Sequence, residues 1–220
     1  MKTRFALIAA TLAATAVALA GPAQAAETPG IHGNAEDGAQ NWSMQAYDDC
    51  GVMAIAHLVG FFTGTTPSEE DIIAAAGTIP SVDHDGPTYV KPADLANPNS
   101  GDGIAQLDMP VLAKHYGVNA VYTDDDSAAD TGWATGMPAL EGYLDASGAV
   151  VAIADADIIW HDPGAGYGPH AVVVTEVDTV NGVVHLNDSG PADGADEQVS
   201  IADFESAWGL DGHQLVVATT

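Results

Sequence analysis

Residues 45–62 read QAYDDCGVMAIAHLVGFF and hold the only cysteine in 220 residues. After Cys50, apolar side chains fall at Val52, Ile55, Val59 and Phe62, with Met53 and Ala56 widening the stripe. This is helical spacing, and the face is broad enough for a largely buried helix. The thiol therefore stands at a helix N-terminus, where unpaired N–H groups and the dipole favour a thiolate. Asp48 or Asp49 can cap that end, but negative charge beside a thiol opposes thiolate, so their carboxylates must point away. Gly51 removes bulk where a substrate would approach. Against this stands the plain alternative that Cys50 is a small core residue.

The compartment sharpens the question. Lys2 and Arg4 precede the apolar run FALIAATLAATAVALA (5–20), and GPAQA ends in the small-residue pattern of a signal-peptide cleavage site. The expectation is an exported chain cleaved after Ala25, and not a membrane anchor, because the run is short and leads directly into the cleavage pattern. An exported domain of this size often carries disulfides, yet one cysteine allows none within the chain. Cys50 is then buried and inert, paired with another molecule, or reactive.

Cleavage removes two of four basic residues and no acidic ones, leaving Lys91 and Lys114 against 31 Asp and Glu, or 2 − 31 = −29. Such a chain offers no clustered Lys and Arg for nucleic acid or an anionic membrane.

Residues 26–44 lack periodicity and read as an arm, with one domain over 45–220. TPSEEDIIAAAG (66–77) reads as a helix with Thr66 as cap, Pro67 at the first position and Glu69 closing a capping box. Residues 78–103 are dense in turn formers and read as a long loop. A helix near 108–116, a strand at 118–123, an acidic surface loop at 124–130, a helix near 138–146 and a strand at 149–155 follow. Residues 158–169 form a Gly/Pro loop, and strands at 170–177 and 183–188 flank Asn181-Gly182, a favoured hairpin pair. A helix at 200–208 and a last strand at 214–219 end the chain. The fold class is α+β, a helical part carrying Cys50 packed on a C-terminal antiparallel sheet.

A base for the thiol must come from eight histidines. His57 lies two turns down the same helix. His32, His84 and His213 lie in loop-like or terminal segments, and His115 ends a helix. His161 sits in the Gly/Pro loop and is a second candidate. His170 opens an apolar strand, whose mouth presents a side chain to a cleft. Hairpin pairing brings His170 beside Asn187-Asp188, either of which could orient the imidazole. Alternation sends those two side chains to opposite faces, and the sequence does not set the register that chooses between them.

The order Q-x4-C-G, then HAVVV, then LNDSG resembles the papain-like cysteine peptidases, and among them the double-glycine leader peptidases and their secreted relatives (cysteine peptidase family thirty-nine). The resemblance runs from Gln45 to the final strand. It implies Cys50 as nucleophile, His170 as base, Asp188 as the third triad member with Asn187 as fallback, and Gln45 as oxyanion donor ahead of Gln40. It also implies a peptide or protein substrate, with no cofactor. The rival is a non-catalytic binding module on the same scaffold. The acidic loops DHDGP, NPNSGDG, TDDDSAAD and DSGPADGAD do not fit the EF-hand pattern, and no zinc-ligand spacing is present.

Overall fold

A computed structural model describes residues 29–97 and 100–219. The expected signal segment lies outside the described residues. In chain order the elements are β1 (Ile31–Gly33), α1 (Ala35–Ala39), α2 (Cys50–Thr63), α3 (Glu69–Ala76), a 3-10 turn (Gln106–Asp108), α4 (Met109–His115) and β2 (Ala120–Thr123). There follow α5 (Ala128–Thr131), α6 (Met137–Ser147), β3 (Val150–Asp155), α7 (Ala156–Ile159), β4 (Pro169–Asp178), β5 (Val183–Asn187), β6 (Glu197–Ser200), α8 (Ile201–Gly209) and β7 (Leu215–Ala218).

The strands make one antiparallel sheet in the order β2-β7-β3-β4-β5-β6, and β1 pairs with β4 beyond the point where β3 stops. Strand alternation splits the core into two layers. Ala171 and Val173 of β4, with Val151 and Ile153 of β3, pack under α2 and Leu112 of α4. Val172 and Val174, with Val150 and Ala152, face Leu140 and Leu144 of α6 and Phe204 and Trp208 of α8. The fold is α+β, as the order of helical and strand signals implies.

Helix α2 is the centre of the first layer. Every residue from Gly51 to Gly60 is buried, so the widened stripe marks a helix enclosed on all sides. Each fully buried Ile or Leu stabilises the fold by roughly 1.5–3 kcal/mol. In a chain whose one cysteine is free, that burial stands in for cross-links.

Several local expectations change: α5 and α7 place short helical turns in stretches read as loops. Helix α3 is capped by Ser68, whose Oγ accepts from Asp71 N–H at 3.2 Å. Thr66 instead donates its hydroxyl proton to Asn41 at 3.1 Å, and Glu69 accepts from Ala46 N–H and closes no capping box. Residues 31–39 are also ordered as β1 and α1, in elements of 3 and 5 residues that are too short to show a period.

Candidate active site

Cys50 is the first residue of α2 and is partly exposed. Gly51 lines a cavity beside the thiol and also packs closely: a Cβ there would lie 2.5 Å from Ile104 Cγ2. Asp49 occupies the cap position without a side-chain cap bond. Its carboxyl is buried beside Glu69, and its pKa is pushed up to about 8 by burial first and then by the Glu69 charge and hydrogen bond. Drawn as two carboxylates the pair has no donor, and neither Asp49 oxygen has a partner; a proton on Asp49 supplies one. At neutral pH Asp49 is thus uncharged, and the carboxylate nearest the thiol in sequence does not oppose a thiolate. Asp48 stays at the cleft, its pKa raised by burial and by the Asp102 charge, with His170 pulling the other way.

His170 is the second residue of β4 and is 6% exposed. Its Nε2 lies 2.6 Å from Asp188 Oδ1, and the ring lines the same cleft as Cys50. With Nε2 committed to the carboxylate, Nδ1 is the ring nitrogen left for another partner. Burial alone would lower the imidazole pKa, but the bonds and charges of Asp188 and Cys50 raise it to about 10. Asp188 is fully buried. Its pKa is lowered against the burial penalty by His170, the Gly190 N–H at 2.7 Å and the Trp160 Nε1–H at 2.8 Å.

A single extra residue decides why Asp188 and not Asn187 meets the imidazole. From the hairpin turn, Asp178 pairs with Val183, Val177 with Val184 and Glu176 with His185. Continued without a break, that register would put His170 on the face of Asn187. The ladder instead skips Thr175, so that Val174 pairs with Leu186 and Val173 with Asn187. This β-bulge inverts the alternation of β4 relative to β5. His170 then shares a face with Val172, Val174, Leu186 and Asp188. Asn187 points to the other face, where its Nδ2 donates to Gly38 O at 2.7 Å.

The N-terminal segment covers the bulge. Asn34 N–H donates to Thr175 O at 2.8 Å. A Cβ on Gly38 would lie 2.3 Å from Thr175 Cγ2, and one on Gly33 would lie 2.3 Å from Thr175 O. Both glycines allow a close approach that other residues would block.

Gln45 lies on the segment before α2. Its Oε1 accepts from Ser189 Oγ at 2.6 Å, its Nε2 donates to Tyr47 O at 2.9 Å, and its backbone N–H donates to Ser189 O at 2.8 Å. One amide proton is used within the protein, which leaves the second for a ligand. Gln40 donates to Glu36 O at 3.2 Å at the end of α1. Cys50, His170 and Gln45 line one cleft of about 500 Å³ with Asp48, Trp160 and Tyr167. A neighbouring cavity of about 350 Å³ shares Cys50, Asp48 and Tyr167 and adds Asp102, Ile104 and Met109. Cys50 therefore borders two adjoining cavities.

No family model matches the chain. Uncharacterized proteins of Mycobacterium tuberculosis and Mycobacterium bovis are 47% identical to it over 227 residues, covering 99% of this chain and 97% of theirs. The chain belongs to their family. Among solved structures, a Bacillus anthracis protein described as a C39-like peptidase superposes with a TM-score of 0.55 at 20% identity, over 83% of this chain and 96% of that one. A double-glycine motif protease from a transporter, solved with its leader peptide, matches with a TM-score of 0.45 at 14% identity, over 80% of this chain and 89% of that one. The fold is that of the C39-like, papain-like peptidases.

On this papain-like fold several contributors escape a motif search. Trp160 ties Asp188 through its indole N–H, and its ring centroid lies 5.0 Å from that of His170. Its neighbour His161, the second base candidate, is exposed at the turn after α7. His57 is buried, with a pKa lowered to about 4 chiefly by burial. Being neutral, it accepts the Ser43 N–H at 3.0 Å and anchors the segment that carries Gln45. Asp157 on α7 gathers the N–H groups of Gly164, Gly166 and Tyr167 at 3.2, 2.9 and 2.7 Å, and so sets the loop that walls the cleft. No regular spacing announces any of these, because each acts through a contact with residues distant in sequence or within an irregular loop.

Proposed function

We propose that the protein is an exported cysteine peptidase-like hydrolase that cleaves a peptide or other amide bond. The observation that carries this reading is the imidazole of His170, held between the Cys50 thiol and the buried carboxylate of Asp188. In this mechanism the Cys50 thiol gives its proton to His170, its sulfur attacks the scissile carbonyl carbon, and the carbonyl electrons move onto oxygen. The backbone N–H at the start of α2 and the free amide proton of Gln45 stabilise that oxyanion. His170 protonates the departing amine as the tetrahedral intermediate collapses to a thioester. A water then gives a proton to His170 and attacks the thioester, releasing the acid and restoring the thiol. Asp188 keeps the ring oriented and stabilises its charged form throughout. Export rests on the N-terminal 25 residues, with their basic start, apolar run and small-residue end.

The test is a peptidyl electrophile that labels active thiols, applied to the wild type and to Cys50→Ala, together with turnover of a fluorogenic peptide library. Labelling and turnover that both vanish in Cys50→Ala support the reading. A correctly folded wild type that neither labels nor cleaves any member would leave a binding role for the cleft.

A further inference from the structure

Beyond the three groups of the triad, one carboxyl has been left unused. Glu197 opens β6, opposite Leu186 of β5 and so close to Asp188. Its Oε2 is buried and has no hydrogen-bond partner when the group is drawn ionised. Because Asp188 follows Leu186 by two residues on the same face, the register sets the Glu197 carboxyl beside that of Asp188. Two adjacent carboxylates cannot hydrogen-bond each other; one of them must carry a proton.

Asp188 cannot be that one. It already accepts from His170, Gly190 and Trp160, all of which favour its charge. The proton therefore resides on Glu197. In agreement, the Glu197 pKa is raised to about 7, by burial first and then by the charge and hydrogen bond of Asp188. Asp193 on the β5–β6 loop adds like charge, and His170 works against the shift. Asp196, the remaining acid beside it, is bound to His185 of β5 at 2.6 Å, and His185 also lies 3.6 Å from Glu176 of β4. A cavity of about 470 Å³, lined by Glu197, Trp160, Pro191 and Asp193, gives the carboxyl a way toward solvent.

We propose that Glu197 is a positioning residue of this site, its carboxyl group donating a hydrogen bond to Asp188 and so holding that carboxylate against His170. The inference rests on the peptidase reading for its importance but not for its geometry. Once Glu197 loses its proton, two facing carboxylates repel. Glu197 then swings toward the cavity, and Asp188 loses the donor on that side. The site works best with Glu197 neutral, so its efficiency declines as pH rises through about 7, well before His170 itself deprotonates.

Two measurements test this on the full chain. In ring ¹⁵N spectra of His170, the wild type should show a step near pH 7 that is absent in Glu197→Gln, whose amide still donates but does not titrate. The rate of Cys50 alkylation by iodoacetamide, followed over the same range, should show the same step in the wild type only. At pH 6, Glu197→Gln should react within about threefold of the wild type, while Glu197→Ala, lacking any donor, should be slower by roughly tenfold or more. A step that persists in Glu197→Gln, or is absent from the wild type, overturns the proposal, as does Glu197→Ala behaving like the wild type. Failure of the peptidase reading would appear separately, as absent peptide turnover beside an intact His170 step.

Discussion

Replacing Asp188 by Asn keeps an oxygen opposite His170 but removes the charge that holds the imidazolium. The imidazole pKa stands at about 10 against an ordinary 6.5. At about 1.4 kcal/mol per pH unit, that difference is worth roughly 5 kcal/mol in favour of the charged ring. Cys50 supplies part of it. The share of Asp188 should be about 3 kcal/mol, the lower end of what breaking a buried pair costs. Because the folded pKa of His170 is raised, this stability is fully present below pH 6.5 and is lost as pH climbs toward 10. Asp188, whose own pKa is lowered, remains ionised across that window. Urea unfolding should therefore find Asp188→Asn less stable than the wild type by about 3 kcal/mol at pH 6, and by less than about 1 kcal/mol at pH 10.5. Equal gaps at the two pH values would mean that His170 is not charged in the native protein, and the ion-pair argument would fall.

Gln45→Ala should lower peptide turnover by about 100- to 1,000-fold while leaving Cys50 alkylation nearly unchanged; normal turnover would remove Gln45 from the oxyanion site. His170→Ala should slow alkylation of Cys50 at pH 6, and equal rates in the two proteins would dissolve the dyad. Trp160→Phe keeps a ring over His170 but deletes the donor to Asp188. Urea unfolding should show a loss of roughly 1.5–3 kcal/mol, and an unchanged midpoint would deny that bond a role. Gly38→Ala drives a methyl into Thr175 and should cost about 1–3 kcal/mol, with faster hydrogen exchange over residues 31–39; unaltered exchange would show that α1 does not clamp the bulge.

The main helix and the central hairpin are legible in the sequence because their signals are local. The stripe from Val52 to Phe62 lies on one element, and Asn181-Gly182 marks its own turn. The order of Cys50, His170 and Asp188 along the chain is likewise visible. The choice between Asp188 and Asn187 comes only through the family resemblance and not from the local pattern. It depends on Thr175, an ordinary strand former whose displacement is set by Asn34, Gly33 and Gly38, well over a hundred residues earlier. Asp49 shows the same limit from the electrostatic side. Adjacent to the thiol in sequence, it reads as a charge, and only its burial against Glu69 makes it neutral.

The loop held by Asp157 has a consequence for how a substrate is met. Gly164, Gly166 and Gly168 would leave that segment with unusual backbone freedom, and ordering each residue costs roughly 1–2 kcal/mol. By gathering three amide N–H groups onto one carboxylate, the fold meets that entropy before any substrate arrives, so the wall of the cleft is preorganised and binding need not order it. Asp157 is half-buried, and its lowered pKa comes chiefly from those amides, with Gly166 and Tyr167 foremost. Acid strong enough to protonate it would release the loop, and Asp157→Ala would release it at any pH. The expected kinetic sign is a higher KM with little change in the turnover of substrate already bound, because the loop shapes the approach to the thiol while Cys50, His170 and Asp188 are fixed by the core.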